Sequence, residues 1–135
     1  MKKPTLIILL AVLLVGCKPS YEKAIDKYLN DNLKDPSSYE CIELGEPGII
    51  TPMSIAFVEC VRRANAGEFP HDSVSSKLDQ IKIMFEQNGT NPYDTLGWEV
   101  NHRYRAKNSY GALEIEEVSY IFDKELKEIV DTRRE

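Results

Sequence analysis

The sequence has little of the chemistry that metal and nucleophilic sites use: two histidines, one tryptophan and three cysteines among 135 residues. A metal site usually needs several close ligands. Neither His71 nor His102 has a second histidine four residues away, and no two cysteines stand three residues apart. The Gly-x-Ser-x-Gly turn that exposes a hydrolase serine is also missing. The sequence therefore predicts no metal, no cofactor and no enzymatic activity.

Closely spaced carboxylates are a further catalytic candidate along the chain. Glu114, Glu116 and Glu117 fall within one stretch of alternating residues. The simplest interpretation is a solvated strand face, and general acid–base catalysis is the alternative. A hydrolase without a recognisable motif therefore stays open as a hypothesis.

Positive charge is in the minority, with 17 Lys and Arg residues against 22 Asp and Glu residues. The resulting net charge of -5 at pH 7 disfavours attraction to nucleic-acid phosphates. We therefore expect no nucleic-acid partner for this protein.

A hydrophobic run long enough to cross a bilayer is absent as well. The apolar run over residues 6–15 would rise about 15 Å as a helix, whereas a hydrocarbon core of about 30 Å needs about 20 residues. Lys2 and Lys3 precede the run, and the small residue Gly16 follows it. This order is typical of an export signal peptide.

Residues 14–17 read Leu-Val-Gly-Cys and resemble the lipobox of bacterial lipoproteins. The resemblance implies that residues 1–16 are a signal peptide and that Cys17 carries the lipid, with residues 17–20 as a short tether. An uncleaved N-terminal anchor is the alternative. Two acyl chains suffice for stable anchoring at a membrane. Because Lys18 rather than Asp follows the cysteine, the family's sorting pattern implies the outer membrane, facing the periplasm.

Two further cysteines, Cys41 and Cys60, remain in the mature chain. Exported proteins meet oxidising conditions, which favours a disulfide between them. Two small buried side chains with free thiols are the alternative. The spacing cannot place the two Cα atoms, so both interpretations stay open.

Hydrophobic periodicity predicts a single α+β domain over residues 21–135. Helical spacing runs over residues 21–34, from Thr51 to Gly67 and from about Asp72 to Asn88, and alternation marks strands over 38–44, 98–107, 113–122 and 126–130. Gly45, Pro47 and Gly48 are expected to break the chain after the first strand, and Thr51 as N-cap with Pro52 at the first helical position predicts the start of the second helix. Segregated helices and strands favour three helices on one face of a small curved antiparallel sheet. The apolar alternation changes phase at Glu116 and Glu117, which predicts a β-bulge there in the C-terminal meander.

The most distinctive polar stretch covers residues 102–111 and holds three cations on one strand face. Arg103, Arg105, Lys107 and the adjacent turn residue Tyr110 form a candidate binding site. The alternative is charge pairing between the two strands of the hairpin. With a four-residue turn and the bulge, Arg105 would lie opposite Glu114 and Arg103 opposite Glu116.

Residues 33–40 and 102–111 are also similar to segments of small uncharacterised lipoproteins of the Bacteroidetes. This resemblance implies no activity and no site residues. Our first hypothesis is therefore a non-enzymatic, lipid-anchored envelope protein that binds another envelope macromolecule, as an inhibitor, immunity protein or assembly accessory. The alternative is a small-ligand carrier that uses the sheet face bearing Trp98, Tyr104 and Tyr120. The oligomeric state does not follow from the sequence.

Overall fold

The computed structural model of the protein describes residues 17–134; the predicted signal peptide lies outside these residues. Three helices and five strands follow one another in the described chain. They are α1 Ser20–Asn32, β1 Glu40–Leu44, β2 Gly48–Ile50, α2 Pro52–Asn65, α3 Val74–Gln87, β3 Gly97–Lys107, β4 Leu113–Phe122 and β5 Ile129–Arg134. None of the described helices is long and apolar enough to cross a membrane.

All five strands join one antiparallel sheet, in the order β1, β3, β4, β5, with β2 paired to the other end of β3. All strand pairs are antiparallel and helices and strands do not alternate as β-α-β units, so the predicted α+β class is confirmed. Strand β3 is the centre of the sheet, because it pairs with β1, β2 and β4.

One sheet face, which we term the inner face, carries the hydrophobic core. Alternate residues over 100–106 of β3 and 118–122 of β4 are buried there: Val100, His102, Tyr104, Ala106, Val118, Tyr120 and Phe122. Helix α1 covers this face with Ile25 and Leu29, which are 2 % and 4 % exposed. Burying one such aliphatic side chain is worth about 1.5–3 kcal/mol, so the amphipathic stripe of α1 accounts for its position.

Helices α2 and α3 differ from the predicted arrangement of three helices on one face. They pack against each other, and none of their residues belongs to the inner-face core. Thr51 caps α2 as predicted. Its hydroxyl accepts a hydrogen bond from the Ser54 amide at 3.0 Å, and the Ser54 hydroxyl accepts one from the Thr51 amide. An apolar stripe indicates that a helix face is covered, but it does not identify the element that covers it.

The predicted bulge at Glu116 and Glu117 is wrong. Strands β3 and β4 pair without interruption from Trp98 opposite Phe122 to Lys107 opposite Leu113. The extra residue that keeps the apolar face continuous lies in the turn instead, which spans residues 108–112.

The side chain of Asn108 organises that five-residue turn. Its carboxamide oxygen accepts from the backbone amides of Tyr110 and Ala112 at 2.9 and 3.1 Å. Gly111 supplies a φ of 80°, which costs a glycine little. Register shifts do occur elsewhere, between Cys41 and Glu43 and between Ile121 and Phe122.

Two strand assignments also need correction. The sequence reading treated the segment around Gly48 as a break, yet Gly48–Ile50 forms β2. The last strand was expected over residues 126–130 but begins at Ile129. A tight turn precedes it, where the Asp123 carboxylate accepts from the amides of Lys127 and Glu128.

Candidate functional site

The two arginines of the predicted basic site are both paired with carboxylates. Arg103 Nε lies 3.0 Å from Glu117 Oε1 on the neighbouring strand β4, and Arg105 pairs with Glu40 on β1. The structure therefore contains cross-strand charge pairing, but with partners other than Glu114 and Glu116. The partners differ because the uninterrupted register places Glu114 and Glu116 on the inner side of the hairpin.

The other two candidates lie at the far end of the same hairpin. The Lys107 side chain is exposed, and its backbone amide donates to the Ser38 hydroxyl at 2.8 Å. Tyr110 is 95 % exposed at the tip of the turn. The structure thus gathers the four candidates on one hairpin, with the cationic character of its arginines largely neutralised.

Arg103→Ala and Arg105→Ala are each expected to lower the free energy of unfolding by no more than about 1 kcal/mol, because exposed ion pairs contribute about 0.2–1 kcal/mol. Urea denaturation of the two variants beside the parent chain measures this difference. A loss of several kcal/mol for either variant would mean a buried charge and would contradict the position of these side chains, 47 % and 42 % exposed, on the sheet face opposite the core.

Cys41 and Cys60 are not bridged. Cys41 is exposed on β1 and Cys60 is buried in α2, and both thiols are free. The disulfide alternative is therefore not what the structure contains. Cys60 instead fits the second interpretation, a small buried side chain, whereas Cys41 does not.

The aromatic face proposed for a ligand carrier is filled by protein. Tyr104 and Tyr120 are 1 % and 0 % exposed beneath α1, and Tyr28 packs edge-on against Tyr120 at 5.4 Å between ring centroids. The Trp98 indole nitrogen donates to the Lys124 carbonyl at 3.0 Å. These side chains belong to the core and leave no open concave face for a ligand.

His102 is the buried polar group of that core, at 2 % exposure. Its Nε2 lies 3.1 Å from the Tyr39 hydroxyl, and burial lowers the pKa of His102 below its usual value near 6.5. The ring is therefore neutral at pH 7 and hydrogen-bonded to a phenol, an arrangement that fits a core position. His71 lies on the surface, with Nε2 2.7 Å from Asn65 Oδ1.

The structure also contains a wide concave surface that the sequence did not indicate. A groove of about 830 Å³ runs between α2 and the sheet face opposite the core, which we term the outer face. Ile55 and Val58 form its helical wall, Ile121 lies on its floor, and Leu96 and Val130 line it as well. Val58 is 67 % and Val130 62 % exposed, a large exposure for aliphatic side chains.

The charged residues that line this groove are mostly acidic. The acidic members are Glu46, Glu59, Glu99, Asp123 and Glu125, and the basic members are Lys124 and Arg133. Glu59 is paired with Arg62 at 2.6 Å. Among the ion pairs between described residues, none involves Glu46, Glu99 or Glu125. The groove therefore combines an apolar interior with a negative rim.

Within residues 17–134, no cluster of three or more His, Cys, Asp or Glu side chains could hold a metal ion. No protein-family model, no curated protein and no solved structure matches this chain. The candidate site is thus defined by its own geometry: an exposed apolar groove beside α2, and a hairpin tip at the other end of the sheet.

Proposed function

We propose that this protein is a lipid-anchored, non-enzymatic component of the bacterial cell envelope that binds another envelope macromolecule through the groove beside α2. The observation that carries the proposal is the exposure of aliphatic side chains in one concave surface, Val58 and Val130 above all. Contiguous exposed apolar surface of this kind marks interaction sites in soluble domains.

The position of the lipid carrier supports this assignment. Cys17 lies just before α1, and the Ser20 hydroxyl donates to the Leu126 carbonyl at 2.9 Å. The same turn contributes Asp123, Lys124 and Glu125 to the groove. Anchor and groove therefore lie at the same end of the sheet, and membrane attachment through Cys17 would raise the local concentration of the groove for a membrane-bound partner.

The hairpin tip is the second candidate surface. Tyr110 is almost fully exposed, and Leu113 and Ile115 beside it are each 55 % exposed on the outer face. Ten residues of β3 separate this tip from the anchored end, or about 33 Å. A partner bound there would lie away from the membrane rather than against it.

Site-specific photocrosslinking in producing cells tests the proposal. A photoreactive phenylalanine analogue is placed at Val58 in the groove, at Tyr110 on the hairpin tip, or at Met84. Met84 is an exposed apolar residue of α3 outside the groove and serves as the matched control. We expect a discrete adduct from Val58 that Met84 does not give.

The three crosslinker positions distinguish binding at the groove, binding at the hairpin tip and non-specific contact. An adduct from Tyr110 alone would transfer the binding role to the hairpin. Adducts of equal pattern and yield from Val58 and Met84 would contradict the groove as a specific surface, as would no adduct from Val58.

A further inference from the structure

The groove beside α2 also defines the chemistry of its partner, and this inference rests on the proposed function. We infer that the groove binds a segment of the partner protein that carries apolar side chains flanked by lysine or arginine. The inference stands on two features of one surface, its aliphatic interior and its acidic rim.

The aliphatic interior selects the apolar part of the segment. Ile55 and Val58 lie one helical turn apart on α2, and Ile121 faces them from the outer face of β4. A side chain placed between them would contact aliphatic groups on both sides. Burial of apolar surface is the main favourable term in such docking, at about 25 cal/mol per Å².

The acidic rim selects the charge of the flanks. Glu46 precedes β2 and Glu125 lies in the turn before β5, while Glu99 lies on β3 opposite Ile121, on the floor, so several elements place negative charge in and around the groove. Only Lys124 and Arg133 oppose them among the lining residues. Complementary charge raises association rates and excludes acidic competitors.

The same charge argues against two other occupants. An anionic membrane surface would be repelled by the acidic rim, although the groove lies at the anchored end. A second copy that docked groove to groove would bring two acidic rims together, which like-charge repulsion disfavours. A cationic apolar segment of a different protein is the occupant that meets both features.

Peptide crosslinking tests the inference. The full lipidated protein, with the photoreactive residue at Val58, is held in phosphatidylcholine nanodiscs and mixed with labelled leucine-rich peptides flanked by lysine or by glutamate. Protein-free discs give the background. We expect the lysine-flanked peptide to crosslink at least tenfold more than the glutamate-flanked peptide at 0.05 M salt, an advantage that falls as salt rises.

Charge removal at the rim sharpens the test. The double variant Glu46→Gln, Glu125→Gln is expected to weaken binding of the lysine-flanked peptide about fivefold, since each exposed pair contributes a modest share. The matched control Asp79→Asn, Glu86→Gln removes the same charge from exposed positions of α3 outside the groove. It should leave binding within about twofold of the parent.

Three results would overturn the inference: equal crosslinking of both peptides, equal effects of the two double variants, or a crosslinked homodimer in place of a peptide adduct. These results are separate from a failure of the proposed function. A cellular adduct at Val58 without any charge preference would retain the binding function and reject the cationic segment, whereas no cellular adduct would reject the groove itself.

Discussion

The Cys17→Ser variant is expected to take up no fatty acid and to accumulate as a precursor with its first 16 residues uncut. In the lipobox interpretation the thiol is both the acceptor of the lipid and the condition for cleavage, and a serine hydroxyl is a far weaker nucleophile. Metabolic labelling with palmitate, followed by electrophoresis and membrane fractionation, measures lipid, size and location together.

Cys41→Ser is the matched control for this experiment. Cys41 is also exposed and also has a free thiol, but it lies on β1 within the folded domain. It should retain the label, the mature size and the membrane fraction. Label and mature size retained in the Cys17→Ser variant would refute the lipobox interpretation and return the anchor to the uncleaved alternative.

The second large effect is expected in the core. Ile25→Ala should lower the free energy of unfolding by about 2–5 kcal/mol, because Ile25 is 2 % exposed and its removal leaves a cavity between α1 and the sheet. Domains of this size are stable by only about 5–15 kcal/mol, so the variant would be close to unfolding. Urea denaturation followed by the fluorescence of Trp98, the single tryptophan, gives the value.

Ile55→Ala is the control, since it makes the same change in another helix. Ile55 is 53 % exposed in the groove and should cost well under 1 kcal/mol. This pair of variants distinguishes a side chain that holds the fold from one that is available to a partner. Equal losses would mean that Ile55 is buried in the working protein, for example by a tightly bound partner.

Much of the fold could be predicted from the sequence because each cue is local. Alternation over β3 predicted the buried face on which His102, Tyr104 and Ala106 lie, and Thr51 with Pro52 predicted the start of α2. The predicted bulge was wrong because the pairing register of two strands depends on the length of the turn between them as well as on the strands themselves. The Asn108 side chain stabilises a turn of five residues rather than four, and the hydrophobic periodicity of the strands does not indicate the length of the turn.

The site was harder to predict for a physical reason. The basic residues were visible in the sequence, but their neutralisation by Glu40 and Glu117 depends on strand order and register. The groove brings together residues from β2, α2, β3, β4 and β5, and its apolar members look like ordinary core positions in the sequence. One signal was present: Ile55, Val58 and Glu59 lie off the stripe that carries Cys60 and Ala64.

The last strand of the sheet has a consequence for the membrane attachment that we propose. Strand β5 pairs with β4 on one side only, so its other side offers unpaired backbone groups to any neighbouring chain. Crowding on a membrane would favour strand-to-strand polymerisation of identical copies. Arg133, exposed on β5, places a positive charge near that edge and opposes it, whereas Arg134 is paired with Glu116 of β4 at 3.4 Å. If the chain is anchored as proposed, this edge should keep a dense layer of its copies dispersed as separate molecules.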